Sequence, residues 1–313
     1  MNDYKSECTQ ISHPIPDEPA FLVENSKHRT SSGNILIIAD LHIGIEHALA
    51  QAGAHVPSQT ESIVQKITKL CTNHKIHRLI ILGDIKHTVP GTSRQEWLEL
   101  PEVFDRLAAG IERIDIIPGN HDGGLRKILS KQEMGSQSKL NFHPNTGCVL
   151  TDLSLGLFHG HTWPTHEVLQ ADQILFAHNH PHILFVDNIG GRASFPCWVR
   201  CRLNKAKTYE RYPILEQRSS DPELIVMPAF NTLGSGTAVN SPKPEFLGPM
   251  LKNQMIDTAN SEIYLLDGTD LGKLKDLIEP NFDKLPKRTK VKYKRFGQPK
   301  NGHRKIYKYQ NRR

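Results

Sequence analysis

The sequence predicts an α/β protein of layered sheets (α+β layered), and three observations predict it. Apolar strand patterns alternate with amphipathic helical patterns through the first 120 residues, which is a βαβ series. Short polar groups rich in Asp and His fall immediately after those strands, where α/β sheets gather their ligands. The second half offers further short strands separated by Pro- and Gly-containing loops. With 313 residues, 37% of them hydrophobic, the chain is long enough for one large domain with a sizeable core.

Residues 1–33 read as a loose lead-in marked by Pro14, Pro16 and Pro19, with a short apolar piece at Ala20–Val23. Ile35–Ala39 is apolar on both faces, as a strand buried within layers must be. Ser58-x-x-Glu61 matches a capping box, and Ile63, Ile67 and Leu70 recur at helical spacing, predicting a helix over 59–71. A second buried strand, Leu79–Leu82, ends in Gly83-Asp84. Ser93-x-x-Glu96 opens another helix, which Pro101 is expected to break or kink before Val103–Ala109. A third strand follows at Arg113–Ile117. Later strands are expected at Leu153–Phe158, Gln173–Phe176, Ile183–Val186, Glu223–Met227 and Glu262–Leu266, with a final short helix at Leu271–Glu279. Residues 188–222 read as an irregular basic interval inserted in one domain spanning 34–280, and 231–240 as a loop.

Composition excludes several classes. The longest apolar runs fall far short of the roughly 18 residues that cross a membrane. The polar Met1–Gln10 segment lacks the apolar centre of a secretory signal. Five Cys at scattered spacing form no disulfide framework, so a soluble, cytoplasmic protein without a membrane partner is expected, with Cys197 and Cys201 as ordinary thiols. The net charge of +6 is uneven: residues 284–313 hold 13 Lys/Arg and no Asp or Glu, whereas the rest holds 26 basic and 33 acidic residues. A basic tail on an acidic body points to a polyanionic partner.

The chemistry lies in five groups at strand ends: Asp40-Leu41-His42, Gly83-Asp84 with His87, Gly119-Asn120-His121-Asp122, His159-Gly160-His161 and His178-Asn179-His180. Singly, each is an ordinary turn or a pair of surface residues. Five in series, each at a strand terminus, argue for convergence. Mixed Asp, Asn and His donors suit Mn²⁺, Fe²⁺ or Zn²⁺ better than Ca²⁺, and no Cys belongs to the set. Two ions roughly 3.5–4 Å apart need a bridging carboxylate, for which Asp84 is the natural candidate.

In this order the motifs resemble the calcineurin-like metallophosphoesterases over about residues 35–240. The resemblance implies a β-sandwich flanked by helices, with a dinuclear metal site at the strand C-terminal ends. It implies one ion on Asp40, His42, Asp84 and His180, and a second on Asp84, Asn120, His159 and His178, with Mn²⁺ the expected metal. His121 then matches the general acid that also contacts phosphate, and His87 a further His lining the site. Asp122 and His161 are expected to orient ligating imidazoles. His87, Thr88 and Val89 stand where the protein-phosphatase branch has Asp-Arg-Gly, which disfavours that branch. Residues 39–44, 195–198 and 226–231 resemble the DNA-ligase-associated metallophosphoesterases and their archaeal relatives. That likeness implies a phosphodiesterase or nuclease acting in DNA repair, with a DNA ligase or helicase as partner by analogy. Ala177 departs from the usual Gly before His-x-His, and 199–222 looks inserted; neither removes a ligand.

In the tail, Lys287, Arg288, Lys290, Lys292, Lys294, Arg295, Arg304 and Lys305 interleave with Tyr293, Phe296, Tyr307 and Tyr309. Cationic contacts to phosphate combined with aromatic stacking suit single-stranded nucleic acid, DNA above all. Arg200, Arg202, Lys205 and Lys207 would extend that surface or solubilise a loop, and Trp163 and Trp198 read as packing residues. The expected activity is in-line hydrolysis of a phosphodiester, with His121 protonating the leaving oxygen. Two alternatives stand beside it: a small-molecule phosphoesterase, and a non-catalytic nucleic-acid-binding module, which the complete ligand set disfavours.

Overall fold

The structure, a computed structural model, describes residues 11–24, 33–130, 137–187, 191–218 and 220–278. The first sheet runs in the order β1 (Ile11–Pro14), β2 (Phe21–Glu24), β3 (Asn34–Ala39), β4 (Ile76–Leu82), β5 (Arg113–Ile117), β6 (Leu140–Phe142). From β3 to β6 its strands are parallel, whereas β1 and β2 join as an antiparallel hairpin. The helices α1 (Ile45–Gln51), α2 (Thr60–Asn73), α3 (Arg94–Ala109) and α4 (Leu125–Ser130) lie between these strands in sequence.

The second sheet begins with β7 (Cys148–Leu150), β8 (Leu155–Leu157), β9 (Gln173–Phe176), β10 (His182–Val186) and β11 (Arg192–Cys201). It is completed by β12 (Glu223–Val226), β13 (Glu262–Leu265) and β14 (Asp270–Lys273). Its spatial order is β14-β13-β11-β12-β9-β8-β7, with β10 paired to β11. Here β8, β9 and β12 are parallel, and α5 (His166–Gln170), α6 (Lys205–Arg211) and α7 (Pro249–Lys252) cover the outside.

Period-two alternation sorts side chains among three apolar layers. Ile35, Ile37 and Ala39 face inward with Ile80, Leu82, Leu175, Ala177, Ile225 and Met227, filling the space between the sheets. Leu36, Ile38, Leu79 and Ile81 face the other way, against Ile63, Ile67, Phe104 and Leu107 of α2 and α3. On the far side, Ile174, Phe176, Leu224 and Val226 pack with Val168, Leu169, Met250 and Leu251 of α5 and α7. The expected helix-flanked sandwich of the α/β layered class is what forms.

Several expectations need correction. The described part of the lead-in is not loose, since β1 and β2 extend the first sheet through β2–β3 pairing. The Ser58 capping box does not form; Gln59 is the N-cap of α2, and its N–H donates to the buried Glu46 Oε1 at 2.6 Å. Pro101 does not break α3, which runs through it as one helix. A proline in a helix interior costs about 3 kcal/mol. Burial of Leu100, Val103, Phe104 and Leu107 at about 1.5–3 kcal/mol each outweighs that cost. The Ser93 box is present in full. Within 188–222, read as irregular, lie the ten-residue strand β11 and helix α6. The final helix is instead β14 followed by a 3₁₀ turn, because Gly272 sits at φ +85° and Glu262 pairs with Lys273 across the strands. Trp198 is 2% exposed in the inter-sheet layer and Trp163 packs on the outer one, as packing residues.

One charged cluster interrupts the inter-sheet layer. Asp115 on β5 is fully buried and accepts from Arg78 Nε (2.7 Å), Arg113 Nη2 (2.8 Å), Asn141 Nδ2 (2.7 Å) and His143 Nε2. The Asp115 carboxylate, followed by the Cys148 thiol, lifts His143 from the ordinary 6.5 to about 9. Such a raised group adds stability that is complete below pH 6.5 and disappears as pH passes 9. Replacing His143 with Gln therefore costs about 3 kcal/mol at pH 6. Urea unfolding at pH 6 and pH 9.5 should show that deficit shrinking at the higher pH.

Candidate metal centre

The parallel strands of both sheets deliver their C-terminal ends to one place. Asp40 directly follows β3, Gly83-Asp84 follows β4, and Gly119 through Asp122 follow β5. From the second sheet, His159 comes just beyond β8, and His178 and His180 just beyond β9. Backbone bonds stitch these turns together: Asp40 N–H to Gly83 O (3.0 Å), His42 N–H to Asp84 O (2.8 Å) and Ala177 N–H to His159 O (2.9 Å). Two more cross between sheets, Phe230 N–H to Ala39 O (2.9 Å) and His178 N–H to Asp40 Oδ2 (3.3 Å).

Close approach governs the glycines here. A Cβ on Gly83 would lie 2.4 Å from His159 Nδ1, and one on Gly119 would lie 2.1 Å from Asp84 Oδ1. Side chains are therefore excluded where the turns press on ligand residues. Asp40, His42, Asp84, His178 and His180 themselves adopt positive φ, between 42° and 72°. For non-glycine residues this left-handed conformation is strained and clusters at functional sites.

Two trios of donor atoms result, each within 4.8 Å: Asp40, His42 and His180, and Asp84, His159 and His178. In the first, His42 Nε2 is 3.2 Å from His180 Nε2, and His180 Nε2 is 3.4 Å from Asp40 Oδ1. In the second, His159 Nε2 is 3.4 Å from Asp84 Oδ2. That same Asp84 oxygen is 3.9 Å from His42 Nε2, so it stands between the trios. A third trio, His42, His87 and His121, adjoins the first. His121 donates its backbone N–H to Asp84 Oδ1 (2.9 Å) and its Nδ1–H to the His87 carbonyl, which leaves Nε2 facing Asp84 Oδ2 at 3.9 Å. Asn120 sits exposed on the turn between Gly119 and His121.

The ring tautomers follow from second contacts. His159 Nδ1–H donates to Leu82 O (2.8 Å), and His180 Nδ1–H to Ser235 O (3.0 Å), turning each Nε2 toward a carboxylate. Burial pushes His42 down to about 3 and His178 to about 4, so both rings are neutral with open lone pairs. Burial opposes charge on His159 as well, yet Asp84 and Asp40 outweigh it and lift that ring to about 9. Burial likewise works against ionised Asp40 and Asp84, and the surrounding imidazoles nevertheless hold both below the usual carboxylate range.

This donor set fits divalent ions. Asp40 Oδ1 and His159 Nε2 are buried without a hydrogen-bond partner among the described residues. Buried polar atoms almost always have partners, and a carboxylate oxygen facing imidazole nitrogens is the donor chemistry of Mn²⁺, Fe²⁺ and Zn²⁺.

Two expected roles change. Asp122 orients backbone and not an imidazole: its Oδ1 accepts from Ile85 N–H (2.8 Å) and Lys86 N–H (3.3 Å), its Oδ2 from Gly119 N–H (2.7 Å). His161 flanks the rings of His159 and His178 at 5.2 and 6.1 Å, and its Nδ1 is buried without a partner, so it orients neither through that atom. The groups that orient His159, His180 and His121 are the Leu82, Ser235 and His87 carbonyls.

Sequence reasoning missed Glu96 and Asn231 as positioning residues. Glu96 is fully buried and accepts from His87 N–H (2.9 Å), Thr88 N–H (2.6 Å) and Ser93 N–H (2.6 Å), fixing the loop that carries His87. Its only sequence signal is the capping box. Asn231 is buried and donates Nδ2–H to Leu41 O (2.9 Å), holding the turn between Asp40 and His42; it ends the 226–231 motif. Arg200 is engaged by Glu223 and Glu262, and Lys205 by Asp221, so neither is an unpaired cation. Cys197 and Cys201 are buried free thiols pushed up by burial. The tail residues Lys287, Arg288, Lys290, Lys292, Lys294, Arg295, Arg304 and Lys305 lie outside the described residues.

Among described residues no helix is long and apolar enough to cross a membrane. No curated protein matches this chain. Among solved structures it is similar to a nuclease MPE from Pseudomonas putida, at 20% identity and a TM-score of 0.43, covering 82% of this chain and 98% of that one. It is also similar to the phosphoesterase YfcE from E. coli, at 12% identity and a TM-score of 0.31, covering 78% and 99%. The sequence pattern of the calcineurin-like phosphoesterases matches residues 33–225, which take in both trios and β3 through all but the last residue of β12. With more than half of its length matched, this chain belongs to the calcineurin-like phosphoesterase family.

Proposed function

We propose that the chain is a dinuclear metal-dependent phosphodiesterase that cleaves nucleic acid, DNA above all. The observation that carries the metal reading is the pair of donor trios meeting at Asp84 Oδ2, with Asp40 Oδ1 and His159 Nε2 left without other partners. One ion is assigned to Asp40, His42, Asp84 and His180, the second to Asp84, Asn120, His159 and His178. When bound, such ions polarise a phosphoryl oxygen and activate water near neutral pH. Mn²⁺ is the ion proposed.

The chain's own residues supply the rest. Asp84, which both ions would share, is held in place by the His121 backbone N–H on one oxygen. Neutral His42 and His178 present lone pairs without first having to lose a proton. His121 anchors Nδ1–H on the His87 carbonyl and directs Nε2 into the site, where a proton on Nε2 passes to the departing oxygen. Asp122 and Glu96 keep the turns carrying Asp84 and His87 from moving while this happens. The nucleic-acid assignment is supported by the 13 Lys/Arg interleaved with aromatics over residues 284–313.

Saturating Mn²⁺ should raise the unfolding temperature of the full chain, and EDTA should reverse the rise. At a hundred times Kd the gain is about 2.7 kcal/mol. Asp84→Asn should abolish most of it; an unchanged rise in that variant refutes the bridging assignment. His121→Asn should keep the Mn²⁺-induced thermal shift yet lower kcat on a phosphodiester by about 10²–10⁴-fold. Near-full activity in that variant removes His121 as the acid. A chain ending at residue 283 should bind a single-stranded oligonucleotide more weakly and with a shallower salt dependence than the full chain. Equal binding at all salt concentrations, with turnover of small phosphodiesters only, would replace nucleic acid by a small phosphoester as substrate.

A further inference from the structure

The proposed reaction leaves one exposed feature beside the centre unused. β10 begins two residues after His180, and β11 returns antiparallel to it, pairing His182 with Pro196 through Val186 with Arg192. Only the inner half of β11, Cys197–Cys201, pairs with β12 and β13. Val226, the last residue of β12, lies opposite Val199, so residues 192–196 continue past the C-terminal edge of the sheet. Phe195 is four residues beyond that edge, about 13 Å at roughly 3.3 Å per residue. The candidate metal centre occupies this same edge, at the ends of β8 and β9.

The register puts Ile183 opposite Phe195 and Phe185 opposite Ala193, all on one face. Ile183 is fully buried, but Phe185 and Phe195 are 41% and 45% exposed. Their rings lie 5.9 Å apart and tilted by 65°, one edge toward the other's face. Among described residues this is the one pair of exposed aromatic rings in contact. Rings left this exposed forgo somewhat under half of the burial worth about 1.5–3 kcal/mol each, which stability of the fold alone does not favour. Leu247, 40% exposed, is fixed by its N–H to Asn179 Oδ1 (2.8 Å), between His178 and His180.

We propose that Phe185 and Phe195 form a stacking surface for an unpaired base of the nucleic-acid strand whose phosphodiester is at the metal centre. This rests on the nucleic-acid reading above. The occupant is a nucleobase because a flat π-face suits these rings and the neighbouring chemistry acts on phosphoesters.

The test is anisotropy of the full chain in Mn²⁺ with a labelled single-stranded oligothymidylate and with an abasic strand of equal length, both carrying cleavage-resistant phosphorothioate linkages. The wild type should bind the thymidylate about tenfold or more tightly than the abasic strand. The Phe185→Leu, Phe195→Leu pair should bring that ratio near one, whereas Phe185→Tyr, Phe195→Tyr should preserve it. Leu keeps the apolar packing and removes only the π-face, so the ratio, taken within one protein, does not depend on small losses of stability. An unchanged ratio in the Leu variant overturns the assignment. Loss of dimerisation in that variant with the ratio intact would make the face a contact between copies, and overturns it too. If the wild type binds neither strand while hydrolysing a small phosphodiester, the nucleic-acid reading itself falls. If wild type and Leu variant bind the strand, and cleave its unmodified form, equally, only the hairpin assignment falls.

Discussion

Asp40 and Asp84 carry two negative charges into a space almost sealed from water, at 0% and 2% exposure, and neither pairs with a Lys or Arg among the described residues. Burying a carboxylate costs several kcal/mol unless a counter-charge or well-aimed donors replace the lost water. Here the replacement is a shell of imidazoles, one of which, His159, is lifted to about 9 by the two carboxylates. The proton on that ring and a divalent ion compete for the same Nε2. The site is therefore compensated in either condition, and the protein folds around charge that it does not neutralise with fixed cations.

Holding such a site requires turns that do not relax. The anchors come from both sheets and from residues that touch no proposed ion. Asn231 grips the Leu41 carbonyl, Asp122 grips the turns after β4 and β5, and Glu96 grips the His87 loop. Glu96 is the more telling case, because burial works against its charge and yet its carboxyl is held below the usual range. Backbone N–H groups of Thr88 and Ser93, with nearby Lys86, account for that. A residue that begins as a helix cap thus becomes the strut of a functional loop, and α3 is tied to the centre through its first turn.

The parallel core of this fold was legible because its buried strands are largely apolar on both faces: Gln173–Phe176 matches its sequence pattern residue for residue, and so does Arg113–Ile117 although Asp115 interrupts it. The donor residues were legible for a related reason, since a polar group directly after such a strand has few structural purposes. What escaped was decided by partners far away in sequence. β1 carries Ser12, His13 and Pro14, with no apolar pattern, and exists through its pairing with β2. β11 hides because its outer half is exposed on both faces, contains Pro196, and is held by β10. At the start of α2 the Gln59 N–H goes to Glu46, thirteen residues away, and Ser58 Oγ accepts from Thr60 N–H, without the Glu61 partner its spacing suggested. The orienting carbonyls of Leu82 and Ser235 have no side-chain signature at all.

The backbone at the centre shows how the competing demands were divided. Five donor-bearing residues take left-handed φ at roughly 1 kcal/mol or more apiece, together about 5 kcal/mol, which is comparable to the whole stability of a typical domain. Glycine would relieve the strain, but each of these positions must also present a carboxylate or an imidazole. Where a turn needs close approach and no donor, at Gly83 and Gly119, the chain does use glycine. At the centre, the strain thus falls on positions where the side chain is indispensable. Asp and His tolerate this conformation better than most residues, but three apolar layers and the bonds between turns must still hold them in place. That is why the centre sits at the mouth of the inter-sheet layer, where Ala39, Leu82 and Ala177 are each fully buried one or two residues from a strained donor.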